Sequence, residues 1–264
     1  MDDAQRVYDR PEYYEIAFSF RDIPSEVDVM EECIRRFSRI PVKSVLEMAS
    51  GNSPHLAPLV GRGYRYTGVD RNEAMLEYSA RKAKMLGAAV RLVHGDLADF
   101  KVDEQADFAF IALGSLYVTD PGMIKRHLDS MARALKPGGL YLLDWCLHHV
   151  PLLRVFENSW EVERDGIKMT VFYKTTTVKE EKHLFRETIR LEVDDHGKRV
   201  TCAQTGLYWA IYPDEFIRIL GEQGGFEFVG WWNNWSLDRP LDSGGHSPDG
   251  AGTISRPITV IRRI

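Results

Sequence analysis

The sequence predicts a doubly wound α/β fold: a mostly parallel sheet with helices on both faces and an antiparallel β insertion after its fifth strand. Three observations carry that expectation. Short apolar runs alternate with stretches of helical period, the pattern of strand and helix units joined by right-handed crossovers. Acidic or small residues close those runs, at Glu47, Asp70, Asp96 and Gly114-Ser115, the strand ends at which such sheets place ligands. Between Trp160 and Tyr208 the helical period gives way to alternation. There Ile189, Leu191 and Val193 are separated by Arg190 and Glu192, as in antiparallel strands with one buried face.

Taken in order, Tyr8–Phe20 is rich in aromatics and acids without a long helical period, and is expected to close over the domain as a lid or to pack its rings onto it. A helix follows from Ser25, where Ser25 and Asp28 resemble a capping box and Val27, Met30, Ile34 and Phe37 share a face. Strand one runs to Met48, and small residues then lead into a helix from Pro54 to about Val60. Tyr64–Val69 is strand two. The next helix carries Leu76, Ala80 and Ala83 on one face and ends at Gly87. Strand three, Ala89–Val93, leads to Asp96, and Phe108–Leu113 is a fourth strand buried on both sides. Asp120-Pro121 opens a helix with Ile124, Leu128, Met131 and Leu135 on one face, and Pro137-Gly138-Gly139 turns it into strand five, Leu140 to about Trp145. Turn signals at Asp165-Gly166 and Asp194–Gly197 divide the insertion. Pro213–Gly224 reads as a helix, Phe226–Trp232 and Ile258–Ile261 as the last strands, and the Gly/Ser/Pro-rich Arg239–Pro257 as a mobile loop.

A chain of 264 residues with a net charge of −5 has room for one large domain carrying an elaboration, and its charge disfavours nucleic acid as a partner. Cys33, Cys146 and Cys202 are far apart and lack metal-ligand spacing, so they read as buried, reduced thiols. With no apolar signal core and no run of ~20 apolar residues, the expectation is a cytoplasmic protein without a membrane partner. His148-His149 is a poor metal pair, because neighbours on a strand point to opposite faces and no third ligand is evident. No metal is expected. Ser50 and Ser115 lack a nucleophile-elbow context.

From Lys43 to Trp145 the chain resembles the class I S-adenosylmethionine-dependent methyltransferases. The matching segments are Val45–Gly51, Gly68-Val69-Asp70, Gly95-Asp96-Leu97, Phe108–Leu116 and Leu135–Gly139. The resemblance implies a seven-stranded Rossmann-like sheet whose last strand is antiparallel. It divides the chain into a lid and helix (1–42), a cofactor-binding core (43–150), the β insertion (151–210) and a completion of the core sheet (211–264). It further implies S-adenosylmethionine as cofactor, with Glu47 and Gly51 beside its methionine part, Asp70 on the ribose hydroxyls, Asp96 and Leu97 at the adenine, and Leu113 along its length. Tyr14, Ala49, Arg71, Met75 and Ser115 complete the expected cofactor set. The turn departs from the family's glycine-rich form at Ala49, Asn52 and Ser53.

The chemistry so implied is methyl transfer to nitrogen or oxygen of a small-molecule acceptor, resting on alignment and exclusion of water. The acceptor walls are expected from Trp145, His148, His149, Tyr208 and Trp209. Where the acceptor arrives protonated, His148 or His149 is the expected base, since an unperturbed histidine titrates at about 6.5. Tyr8, Tyr14 and Tyr117 are candidates to face a cation. The insertion is expected either to cover the acceptor pocket or to form a homodimer contact. Two rivals remain at this point: a nicotinamide-dependent dehydrogenase, which would carry the fuller glycine fingerprint, and a non-catalytic cofactor-binding or assembly protein on the same fold.

Overall fold

The computed structural model describes residues 5–179, 183–247 and 253–264. A 3-10 turn at Val7–Asp9 and a short helix α1 (Pro11–Ala17) precede α2 (Ile23–Phe37), β1 (Ser44–Met48), α3 (Leu56–Gly61), β2 (Arg65–Asp70), α4 (Glu73–Met85) and β3 (Arg91–His94). Then come β4 (Ala106–Ile111), α5 (Pro121–Ala134), β5 (Leu135–Asp144), the four strands β6 (Val155–Arg164), β7 (Ile167–Lys179), β8 (Leu184–Asp195) and β9 (Lys198–Trp209), and finally α6 (Pro213–Gln223), β10 (Phe226–Trp232) and β11 (Ile258–Arg263). Seven strands form one sheet in the order β10-β11-β5-β4-β1-β2-β3, and β6 to β9 form a second, antiparallel sheet in chain order. β11 is antiparallel to both neighbours, while β1, β2, β3, β4 and β5 pair in parallel.

Strand alternation divides the apolar residues between the faces of the large sheet. Leu46, Met48, Ala109, Ile111, Tyr141 and Leu143 pack with α5 and α6. Val45, Phe108, Phe110, Leu140 and Leu142 pack with α2, α3 and Ala83 of α4. A third cluster joins the N-terminal segment to the second sheet: Val7, Tyr13, Ile16 and Ala17 lie against Met169, Val171, Ile189, Leu191 and Val193. The aromatic segment is thus fastened to the insertion. Trp160 Nε1 donates to Ala17 O at 2.9 Å, Tyr13 to Asp195 at 2.8 Å, and Ala203 N to Gln5 O at 2.9 Å.

Several local expectations are corrected. α2 begins two residues before Ser25, and its cap is Asp22, whose carboxylate accepts from Ser25 N; Pro24 inside the first turn conceals that start, because proline is well tolerated there. On α4 the buried face is Met75, Leu76, Ser79 and Ala83, and Ala80 is exposed. Ser79 is drawn inward because its hydroxyl reaches Gly51 O at 2.9 Å. The Arg239–Pro257 stretch is fastened at both described ends: Leu241 N donates to Trp231 O, Gly245 O receives His149, and Arg256 is bound to Asp144 and Glu26. Residues 248–252 lie outside the described chain. No helix among the described residues is long and apolar enough to cross a membrane.

Candidate active site

The turn after β1 is built against its residue types. Ala49, Gly51 and Ser53 have φ of 49°, 52° and 47°, and a left-handed conformation costs a non-glycine residue about 1–2 kcal/mol. Dense bonding offsets that cost. Ser50 N donates to Val69 O at 3.0 Å, Ser53 N to Ser50 O at 2.7 Å, and Gly51 N to Asp70 Oδ2 at 2.8 Å. Gly68 permits the turn to lie close on β2, since a Cβ there would stand 2.9 Å from Ser50 Oγ. The second oxygen of Asp70 takes Asn72 N at 2.8 Å, while Asn72 caps α4 through Met75 N at 2.9 Å. Burial raises the Asp70 pKa despite those two backbone donors. Each of its oxygens keeps acceptor capacity for a further donor.

Glu47 behaves differently from its neighbour in the pattern. It borders the same space, yet it is only 2% exposed, and both its oxygens are taken: His55 Nδ1 lies 2.9 Å from one and the Tyr66 hydroxyl donates to the other. His55 Nε2 reaches Glu26 at 2.9 Å, and Glu26 also pairs with Arg21 and Arg256. Burial alone would lower the His55 pKa, but Glu47 and Glu26 outweigh it and the net direction is upward. Burial would raise that of Glu26, and His55, Arg21 and Arg256 reverse the sign. The Glu47 carboxylate therefore ties β1 to β2, to α3 and, through His55, to α2.

The ends of β4 and β5 are set by one buried acid. Asp144 is fully buried. Its Oδ2 accepts Leu113 N at 2.7 Å and Arg256 Nη2 at 2.6 Å, and its Oδ1 accepts Trp235 Nε1 at 2.8 Å. Leu113, Gly114 and Trp145 all have positive φ, so the backbone here is held in a sparsely populated shape, as is common where a chain is arranged around a ligand.

A cavity of about 1000 Å³ joins these strand ends to the second sheet. It is bordered by every residue expected for the cofactor, namely Tyr14, Glu47, Ala49, Gly51, Asp70, Arg71, Met75, Asp96, Leu97, Leu113 and Ser115, and by Trp145, His148, His149, Tyr208 and Trp209. Asp96 is held in its loop by Ala98 N at 2.8 Å.

The expected near-neutral titration of the two histidines is corrected. Burial, with a contribution from His149, pushes His148 down to about 4, and burial lowers His149 despite its bond to Gly245 O. A carbonyl can only accept, so His149 Nδ1 carries the proton toward Gly245 O at 2.8 Å. His149 Nε2 is then an unprotonated acceptor, buried without a partner among the described residues. Gly245 makes that approach possible, because a Cβ there would lie 2.5 Å from His149 Nδ1.

Sequence reasoning passed over the wall contributed by the insertion. Tyr173, Thr175, Glu187 and Ile189 border the cavity. The alternation of Ile189, Leu191 and Val193, carried back two residues, places Glu187 on the same inward face, so the signal was present and unread.

A parallel sheet with its ligand space at the strand ends, a tight turn after β1 and an acid closing β2 define a nucleotide-type cofactor-binding α/β protein. Residues 45–139 match the family described as Methyltransferase domain. The dTDP-4-amino-2,3,4,6-tetradeoxy-D-glucose N,N-dimethyltransferase of Saccharopolyspora spinosa is 25% identical over 126 residues, 47% of this chain and 48% of that one. The 2-phytyl-1,4-naphtoquinone methyltransferase of Synechococcus elongatus is 31% identical over 127 residues, 46% of this chain and 53% of its own. The match thus spans about half the length of these relatives. Over nearly the whole chain, the fold resembles that of SAM-bound CalS10, an amino pentose methyltransferase from Micromonospora echinaspora, with a TM-score of 0.72, 18% identity and coverage of 96% and 97%. Residues 45–139 are thus similar to a methyltransferase domain, and the fold is similar to that of an S-adenosylmethionine-bound methyltransferase.

Proposed function

We propose that the protein is an S-adenosylmethionine-dependent methyltransferase acting on nitrogen or oxygen of a small-molecule acceptor. The observation that carries this reading is the continuity of one cavity from the Asp70 end of the sheet to the aromatic wall of the insertion. Its volume stands at the upper end for small-molecule sites, enough for a cofactor and an acceptor together. The half-buried Asp70, with acceptor capacity to spare beyond Gly51 and Asn72, fits a ribose diol. When bound, the cofactor supplies a methyl group already activated by its sulfonium.

The chain's own residues position and enclose. Asp70 holds the ribose hydroxyls, Gly51 and Ala49 admit the methionine part, Met75, Asp96 and Leu97 flank the adenine, and Leu113 and Ser115 lie along the cofactor. Tyr14 and Arg71 border it, and the N-terminal segment fastened to the second sheet excludes water. His148 and His149, neutral at pH 7, serve as hydrogen-bond acceptors for the acceptor molecule rather than as stores for its proton. The naming of an amino sugar in one relative and a naphthoquinone in another supports a small-molecule acceptor.

Calorimetry of Asp70→Asn tests the reading. Asn keeps the size of the side chain but removes the charge from a hydrogen bond worth roughly 1.5–3 kcal/mol. The expected outcome is a loss of about tenfold or more in affinity for both S-adenosylmethionine and S-adenosylhomocysteine. Absence of binding to the parent protein would overturn the function, and unchanged affinity in the variant would overturn the residue's role.

A further inference from the structure

From Phe185 to Val193 the inward face of β8 is apolar except at one position. Phe185, Ile189, Leu191 and Val193 are buried, and Glu187 stands among them with its carboxylate toward the cavity. Among the described residues its two oxygens receive only phenols: the Tyr117 hydroxyl donates to one, and the Tyr173 hydroxyl donates to the other at 2.7 Å. No ion pair among the described residues involves it. The other acids bordering the cavity are committed otherwise. Glu47 is held by His55 and Tyr66, and Asp70 and Asp96 take backbone N–H groups. Glu187 is thus a largely desolvated carboxylate with neutral partners, and burying such a charge is costly until a cation meets it. Burial raises its pKa, against the two tyrosine bonds, which is the behaviour of an acid without a counter-charge. Through Tyr117 it is joined to the segment after β4, the stretch of Leu113 and Ser115. The rings of Tyr8, Tyr14 and Tyr208 border the same space, and aromatic faces favour a cation.

We propose that Glu187 is the docking residue for a positively charged aliphatic amine on the acceptor, so that the acceptor atom is nitrogen rather than oxygen. This rests on the methyltransferase reading and narrows it. The ammonium binds with its N–H groups on the Glu187 carboxylate. Before the nitrogen can react it must shed one proton: an N–H bond breaks, its electron pair stays on nitrogen, and the proton passes to a Glu187 oxygen, which later releases it to water. A carboxyl whose proton affinity is raised by burial suits that exchange better than His148, which burial lowers to about 4.

The test uses the intact protein saturated with S-adenosylhomocysteine and two probes of nearly the same shape, trans-4-aminocyclohexanol and trans-cyclohexane-1,4-diol, titrated by calorimetry at pH 7. The amine is expected to bind about tenfold or more tighter than the diol, the range of a charge-assisted hydrogen bond. In Glu187→Gln, which retains an acceptor for the tyrosines, that preference falls to near parity while S-adenosylhomocysteine affinity is unchanged. The parent provides a second reading that needs no variant: the preference for the amine collapses as acid protonates the carboxyl, while diol binding stays level. A parent that does not prefer the amine, including one that binds neither probe, overturns the proposal, as does a preference that survives in Glu187→Gln. Failure of the parent to bind S-adenosylhomocysteine would instead strike the methyltransferase reading beneath it.

Discussion

Ala49 bears a side chain where the backbone has φ of 49°, and this is strain with a measurable size. Glycine adopts that conformation without the Cβ penalty, so Ala49→Gly is expected to raise stability by about 1 kcal/mol, offset in part by the greater freedom of the unfolded chain. A denaturant titration with unchanged slope would register it, and a loss of stability would show that the Ala49 methyl makes contacts worth more than the strain. His148 and His149 make an opposite case, in which the residue types promised a titration that burial removes. His148 sits at about 4 and His149 is also lowered. The pH profile of single-turnover methyl transfer is therefore expected to be the same above pH 6 in the parent, His148→Ala and His149→Ala, whatever happens to the rate itself. A limb near 6.5 that vanishes in either variant would restore that residue as the base.

Helix α5 carries the face that covers β4 and β5, and its start is fixed by Asp120, whose carboxylate accepts Met123 N at 2.8 Å ahead of Pro121. Asp120→Ala removes that cap, and a loss of about 1 kcal/mol is expected, read as a lower denaturation midpoint at constant slope. The start of this helix was legible in the sequence, because capping acid, N1 proline and apolar spacing agree, but its end was not: Leu135, expected on the helix face, opens β5, which runs through the expected Pro137–Gly139 turn. The central strand β4 was legible too, since a strand buried on both faces must be continuously apolar, as Phe108–Ile111 is. What was not legible has a common cause. The Tyr8–Phe20 segment takes its place from long-range contacts with Met169, Ile189 and Leu191, and such partners leave no local period. In the site, the acids at the strand ends were visible because their position follows from topology. Glu47 was visible as an acid, while its bonds to His55 and Tyr66 were not. Glu187 was reachable only by extending a strand face through an apolar pattern it interrupts.

One buried polar network runs across the large sheet and its helices. Tyr66 on β2, Glu47 on β1, His55 before α3, Glu26 on α2, Arg256 before β11 and Asp144 at the end of β5 are joined by hydrogen bonds or ion pairs, so the segments bordering the cavity share one electrostatic support. Its pH dependence can be signed. The His55 pKa is raised in the folded protein because Glu47 and Glu26 outweigh burial. Its stabilising contribution is therefore fully present below the unfolded value of about 6.5 and is lost as pH climbs through the raised value. The Glu26 pKa is lowered by His55, Arg21 and Arg256 against burial, so its contribution is present above the ordinary carboxylate value of about 4.3 and is lost as pH falls through the lowered one. Between those limits both contributions stand. Replacing His55 by Gln removes the cation and leaves Glu47 with a phenol and an amide, at a cost on the order of 3 kcal/mol while His55 would be charged. Thermal melts of parent and His55→Gln from pH 5 to 9 are expected to differ most at the acidic end and to converge on the alkaline side. Taking the difference cancels the other buried histidines, such as His127, which burial lowers to about 4. A gap that stays constant or widens with pH would mean that His55 is neutral in the folded protein and that Glu47 is held by hydrogen bonds alone.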